Sequence, residues 1–455
     1  SFDCRIDDIV AEPEAGTGGV VDGKTLAFIG LERIGGVMVY DVSNPTAPEF
    51  IEYQPNAEGD IAPEGLVFIS EADSPNGENL LISANEVSNT IAVYQVGESD
   101  GTDNGSDDGT DGGDETFTLQ LLHAGDQEGG ISALDDAPNF SAVLNALRDD
   151  FDNTVTLSSG DAIIPGVFFG ASGDAFGGDG RGDILIQNAL GFEAIALGNH
   201  EFDAGTGTLA DLIGGGEDDP ETEDLDETFE GTAFPYLSSN LDFSTDENLA
   251  GFVVDDHQAP QGNSLAATTV IDVNGEKIGV VGATTPTIDN ENIRISNPGD
   301  VTVLPIPFDG IPTTDQLDAL AAEIQADVDA LLASDPDINK VVLLAHMQQL
   351  DIERELAARL EGVDIIVAGG SNTRLVDETD VLRDGDDAQG PYPIIETAAD
   401  GNPVAVVNTD GNYKYVGRLV IDFDADGVII PESYDPEVSG AFATDDAGVT
   451  AVGAE

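Results

Sequence analysis

The chain has 455 residues, of which 14 are Lys or Arg and 90 are Asp or Glu, a formal net charge of -76. A chain of this length should divide into two or three domains, and its charge excludes direct binding to a nucleic-acid backbone except through metal ions. Three readings of the acidity stay open: adaptation to salt that screens the self-repulsion, calcium-dependent folding in a saline exterior, and mimicry of a polyanion.

Cys4 is the only cysteine, so no internal disulfide can form. There is no apolar run of about 18 residues, hence no expected membrane span, and no basic-apolar leader pattern. A processed secreted protein has the same features, and an extracellular or periplasmic location is expected. Surface association through regions outside this sequence is a further expectation.

In chain order, residues 25–94 read as short strands at 26–31, 36–40, 65–69, 80–84 and 90–94, punctuated by Asn44-Pro45, Pro55-Asn56 and Pro75-Asn76-Gly77. Four or five strands over about 70 residues make one blade-sized sheet of a propeller, or a small sandwich. Its expected role is a scaffold. From 98 to 115 eight of eighteen residues are acidic and none is apolar, which predicts a solvated linker. Asp103, Asp107, Asp108, Asp111 and Asp114 could collect structural calcium there, although the EF-hand pattern with its Glu at the twelfth position is missing. A second acidic insertion, 217–227, reads as a surface loop.

From 117 to about 424 apolar strands alternate with helical stretches. Helices are expected at 140–147, 184–190 and 317–332, and strands at 194–197, 268–273, 278–282, 341–344, 365–368, 404–408 and 418–423. This predicts an α/β (α+β) class with stacked sheets flanked by helices. The expected divisions are 1–97, a β-rich blade-like segment; 98–116, an acidic linker; 117–430, the catalytic domain; and 431–455, a second acidic linker.

Four polar clusters follow apolar runs in this region, the pattern of an α/β enzyme whose chemistry gathers at strand ends. The first holds Asp126 and Glu128, two apart, which an extended segment would point toward one cation. Asp161 follows the second run and could bridge two cations. Asn199 offers an amide oxygen, His346 a ring nitrogen, and Asn372 another oxygen at a Gly-rich turn. An oxygen-rich set with one histidine suits Mg²⁺, Mn²⁺ or Ca²⁺ better than a closed structural zinc site. His200 can face the same pocket while Asp203 fixes its tautomer. Taken singly, Asp161 also reads as a helix cap and His346 as a satisfied buried histidine. His123 reads as structural and His257 is unassigned.

These residues resemble the calcineurin-like metallophosphoesterases, specifically their bacterial 5'-nucleotidase branch, over about 117–424. The motifs are Leu122-His123-Ala124-Gly125-Asp126, Ser159-Gly160-Asp161, Leu344-Ala345-His346, and above all Gly198-Asn199-His200-Glu201-Phe202-Asp203. Tyr413-Lys414-Tyr415-Val416-Gly417-Arg418 resembles the segment that closes the catalytic domain. The resemblance implies a four-layer αββα domain with two divalent ions (Mn, Mg, Ca or Zn) that hydrolyses phosphate esters with metal-bound water. Carried over by position, Asp126, Glu128, Asp161 and Asn372 would hold one ion. Asp161, Asn199 and His346 would hold the other, and His200 with Asp203 would form the catalytic dyad. Three positions depart from the pattern: Glu128 and Gly370 each stand where a histidine is usual, and Asn372 where a histidine or glutamine is usual. The first hundred residues resemble the end of a propeller region, on Tyr40-Asp41-Val42-Ser43-Asn44-Pro45. The implied function is a salt-adapted, secreted phosphatase acting on small phosphomonoesters, nucleotides among them. Phosphodiesterase or nuclease activity and a catalytically silent binding or scaffold module are the alternatives.

Overall fold

The computed structural model describes residues 13–21, 24–31, 36–44, 48–54, 63–70, 74, 79–85, 90–96, 116–127, 130–216, 229–289, 296–305, 308 and 311–454. Cys4, the calcium-candidate aspartates of 98–115, the insertion 217–227 and Glu128 lie outside the described residues. The chain divides into two compact units, Ser1–Asp111 and Gly112–Glu455.

In the first unit Pro13–Val21, Lys24–Leu31, Val37–Asp41 and Glu49–Gln54 form an antiparallel four-stranded meander. Pro63–Ile69, Asn79–Asn85 and Thr90–Val96 form a three-stranded one. Phe28 of one sheet stacks on Phe68 of the other at 5.7 Å between ring centres, inside a core that includes Val21, Val37 and Leu81. Of the two arrangements expected, one blade-sized sheet or a small sandwich, the described strands form two sheets around one core, as a sandwich does. The strand Pro13–Val21 escapes sequence reading because Pro13, Gly16, Gly18 and Gly19 weigh against strand formation; pairing with Lys24–Leu31 outweighs that propensity.

The second unit has a mixed α/β architecture of mostly parallel sheets flanked by helices. One sheet runs in the order Ser264–Ala266, Pro235–Leu237, Ala194–Ala196, Thr154–Ser158, Phe117–Ala124, Tyr415–Phe423, Ile429–Ile430. Its first five strands are parallel and Tyr415–Phe423 is antiparallel to its neighbours. The other runs Thr268–Val273, Glu276–Thr284, Ile338–His346, Ile365–Gly369, Pro403–Val407, Ile394–Thr397, with the middle four parallel.

Both faces of the parallel strands are buried, which is why they read as continuous apolar runs. Leu119 and Leu121 join Leu157, Val280, Leu344 and Val367 in a core shared by the two sheets. Leu122 turns the other way and packs with Phe140, Val143, Leu144 and Leu147. Those four recur at helical spacing on Gly130–Arg148. On the far side Leu317, Leu320, Ile324, Val328 and Leu331 of Thr314–Ser334 cover the second sheet. A capping box between Thr313 and Gln316 starts that helix. Truncating one of these leucines, such as Leu320→Ala, should cost about 2–5 kcal/mol.

The expected helices are present but longer, as Gly130–Arg148, Arg181–Leu190 and Thr314–Ser334. The segment 431–455, expected as a linker, instead carries the strand Gly440–Ala443, paired with Tyr415–Phe423, and the helix Asp446–Ala451. Asp445 caps the helix by accepting from the Gly448 N–H, and the strand is fastened from outside the segment by Asp380, which accepts from the Ala441 N–H at 2.9 Å.

Candidate metal centre

The predicted ligands leave the C-terminal ends of parallel strands. Asp126 follows Phe117–Ala124, Asp161 follows Thr154–Ser158, Asn199 follows Ala194–Ala196, His346 ends Ile338–His346, and Asn372 follows Ile365–Gly369. Asp126 is not on the extended segment that its spacing from Glu128 suggested. It and Asp161 both have left-handed backbone, φ 52° each, as do Asn372 at 46° and Gln348 at 70°. Asp and Asn tolerate this conformation through local hydrogen bonds, and clustering of such residues is typical of sites whose surroundings hold them in place.

The turn at Asp161 is fastened by a residue that the sequence reading left without a role. Buried Glu201 accepts from the N–H groups of Asp161 at 3.2 Å, Ala162 at 2.7 Å and Gly198 at 2.8 Å. Burial, then the nearby charge of Asp161, pushes its carboxyl up to about 7. Gly198 must lack a side chain, because a Cβ there would lie 2.7 Å from the Asp161 nitrogen and 2.8 Å from its Cγ. Asp161 is no cap of a long helix. Its Oδ1 accepts from the His200 N–H at 2.9 Å, at the start of the short turn His200–Phe202.

Asp126, Asp161 and His346 converge, each offering one ligating atom within 4.8 Å of the others, and all three are buried. His346 Nδ1 lies 2.9 Å from the Ser159 carbonyl, which fixes Nδ1 as donor and directs Nε2 into the cluster. Nε2 is 3.0 Å from Asp161 Oδ2, 4.0 Å from Asp126 Oδ1 and 3.3 Å from Asn199 Oδ1. Burial alone would lower the imidazole, but Asp161, then Asp126 and Glu201, outweigh it and raise His346 to about 10. Burial would likewise raise Asp161, yet the charge and hydrogen bond of His346 prevail and lower it. Asp126 is raised to about 7, by burial first and against the pull of His346.

The donor set fits a divalent cation. Asp126 Oδ1 accepts from the Gly370 N–H at 2.7 Å, while its buried Oδ2 has no hydrogen-bond partner among the described residues. A carboxylate oxygen left in this state is costly unless a cation meets it.

His200 and Asp203 meet as well: Nδ1 is 2.6 Å from Asp203 Oδ2, and Nε2 is 4.0 Å from Asp161 Oδ2. Asn372 is an exposed residue; its Oδ1 and the Cβ of Asp126 border the same space above Gly411, and its backbone amide helps to hold Asp126 down. Gln348, not singled out in the sequence, donates to Asn199 Oδ1 and stands 3.1 Å from His346 Nε2. His123 is outside this group: its Nε2 is 2.9 Å from the Tyr392 hydroxyl, and burial lowers it to about 3.

No protein-family model matches the chain. Over 322 residues it is 26% identical to the trifunctional nucleotide phosphoesterase YfkN of Bacillus subtilis, covering 70% of this chain and 19% of that protein. Over 327 residues it is 29% identical to a 5'-nucleotidase of Diplobatis ommata, covering 69% of this chain and 47% of the relative. The solved 5'-nucleotidase precursor of Thermus thermophilus superposes with a TM-score of 0.52 at 27% identity, covering 74% of this chain and 57% of that one. The chain is related to the calcineurin-like metallophosphoesterases. Identity to these proteins is modest, and the chain spans less than half the length of the two curated relatives. Among the described residues no helix is long and apolar enough to cross a membrane.

Proposed function

We propose that the second unit hydrolyses phosphate monoesters, nucleotides among them, with divalent cations held at Asp126, Asp161, Asn199 and His346. The observation that carries this reading is the buried Asp126–Asp161–His346 cluster with the His200–Asp203 pair at its edge. In this reading Asp161 would serve two cations, one with Asn199 and His346 and the other with Asp126, Asn372 and, by its place in the sequence, Glu128. Cations bound there would polarise water and neutralise charge on the phosphoryl oxygens.

The remaining work falls to the protein. Asp203 holds Nδ1 of His200, which leaves Nε2 facing the cluster as the atom that can bind a phosphoryl oxygen and give a proton to the departing alkoxide. Oriented backbone supports this site from below: Glu201 locks the turn that carries Asp161, and the Gly370 amide fixes Asp126. The net charge of -76 supports a salt-rich, exterior setting in which self-repulsion is screened.

The test is a comparison of aryl phosphate and bis(aryl) phosphate on chelated protein resupplied with Mn²⁺, Mg²⁺, Ca²⁺ or Zn²⁺ in high salt. Faster turnover of the monoester is expected. Preference for the diester would replace this reading with a phosphodiesterase, and turnover of neither would leave a silent binding module.

A further inference from the structure

The loop after His346 and the loop after Ile365–Gly369 meet at two residues with matching peculiarities. Gly370 has left-handed backbone, φ 81°, and a Cβ on it would lie 2.5 Å from Gln348 Nε2 and 2.8 Å from His346 Nε2. No side chain fits at 370 while Gln348 keeps its place. Gln348 is itself left-handed at φ 70°, a conformation that costs an L-residue about 1–2 kcal/mol and that glutamine, unlike Asn or Asp, does not relieve with a short local hydrogen bond. The Gln348 N–H ties the two loops together by donating to the Gly369 carbonyl at 3.3 Å. A long amide stands where glycine is the easy choice, and glycine stands where that amide needs room.

The amide is aimed at two members of the ligand set. It contacts Asn199 Oδ1 and lies 3.1 Å from His346 Nε2. We propose that Gln348 is a ligand of the cation held by Asp161, Asn199 and His346, its amide oxygen supplying the donor that Gly370 lacks. With its nitrogen turned inward the amide donates to Asn199 Oδ1. A half-turn about its last torsion presents the oxygen instead. An amide oxygen is a hard donor, so the exchange shifts the site's preference toward Mn²⁺, Mg²⁺ or Ca²⁺. Gly370 is then one half of an exchange between two loops, and the ligand shell remains intact.

This inference rests on the metal-site reading above, and its test separates the two. The chelated full chain is loaded with Mn²⁺, bound ions are counted, and crystals are measured at the manganese edge. The expected result is an anomalous peak coordinated by Asp161, Asn199, His346 and the Gln348 oxygen. In solution Gln348→Ala should weaken one Mn²⁺ by about 10- to 100-fold. Gly370→His should not strengthen binding, because its Cβ meets both Gln348 and His346 Nε2. An ion held by the other three residues with Gln348 turned away, or unchanged affinity in Gln348→Ala, overturns the proposal and leaves the metal site standing. Absence of any bound ion in the wild type overturns both. If Gln348→Ala does not fold, the wild-type diffraction result decides alone.

Discussion

Asp203→Asn isolates the contribution of the His200–Asp203 pair without touching the ligand set. Asp203 Oδ2 stands 2.6 Å from His200 Nδ1, and its buried Oδ1 has no hydrogen-bond partner among the described residues. Asparagine preserves the shape and removes the charge that favours a protonated imidazole. A hydrogen bond to a charged partner is worth about 1.5–3 kcal/mol, or about 10- to 150-fold in kcat if the whole of it acts in the transition state. The side chains are 19% and 9% exposed, so solvent screens part of the interaction and the lower end, about 10- to 30-fold, is expected. The assay is kcat on aryl phosphates whose leaving groups grow steadily more basic, with bound metal counted in parallel. If His200 protonates the departing oxygen, the loss should deepen along the series while metal content stays constant. A uniform loss along the series, or less than about 3-fold with the most basic leaving group, would refute the dyad's role as proton donor.

Asp364 predicts a pH effect on stability. It is buried, its Oδ2 accepts from the Val341 N–H at 2.8 Å, and burial raises its carboxyl from 3.8 to about 8. The native state keeps a proton that the unfolded chain has released, so this group's stabilising contribution is complete below pH 4 and is lost as pH rises through about 8. Asp364→Asn retains an acceptor and cannot ionise. Its advantage over the wild type should grow by a few kcal/mol between about pH 4 and 8 and then level off; urea midpoints at fixed high salt that differ by a constant amount would contradict this. Melting temperature should climb with KCl, most steeply below about 1 M as the Debye length falls from about 10 to 3 Å; a flat response would point to bound cations in place of screening. Gly198→Ala would drive a Cβ to 2.7 Å from the Asp161 nitrogen. It should weaken metal binding at least about tenfold, and unchanged Mn²⁺ affinity in this variant would show that Asp161 has more freedom than its packing implies.

Much of the second unit was legible because its strands are buried on both faces and its helices carry apolar residues at regular spacing. Leu317, Leu320, Ile324, Val328 and Leu331 mark one face of a helix by their spacing alone. Asp126, Asp161, Asn199 and His346 were legible as a group because each follows such a strand, and parallel packing brings strand ends together. Gln348 was not. Its meaning depends on Gly370, 22 positions away on a neighbouring strand exit, and no local pattern links the two. Glu201 was hidden for a similar reason, since the backbone amides it accepts from belong largely to another loop. The expectation of extended backbone at Asp126 failed because its left-handed conformation breaks the alternation on which that reading relied. In 431–455, composition concealed a strand and a helix that combine edge pairing and an Asp445 cap with a few apolar contacts, Phe442, Val449 and Val452 packing on the core.

The most direct measurement is phosphate release by the chelated protein in high salt, before and after Mn²⁺ is restored, with Asp161→Asn alongside. A chain whose chemistry resides in the Asp126–Asp161–His346 cluster should be inert when chelated and active on resupply, and the variant should stay at least about 100-fold below the wild type. Turnover that survives chelation, or equal activity in Asp161→Asn, would contradict the assignment.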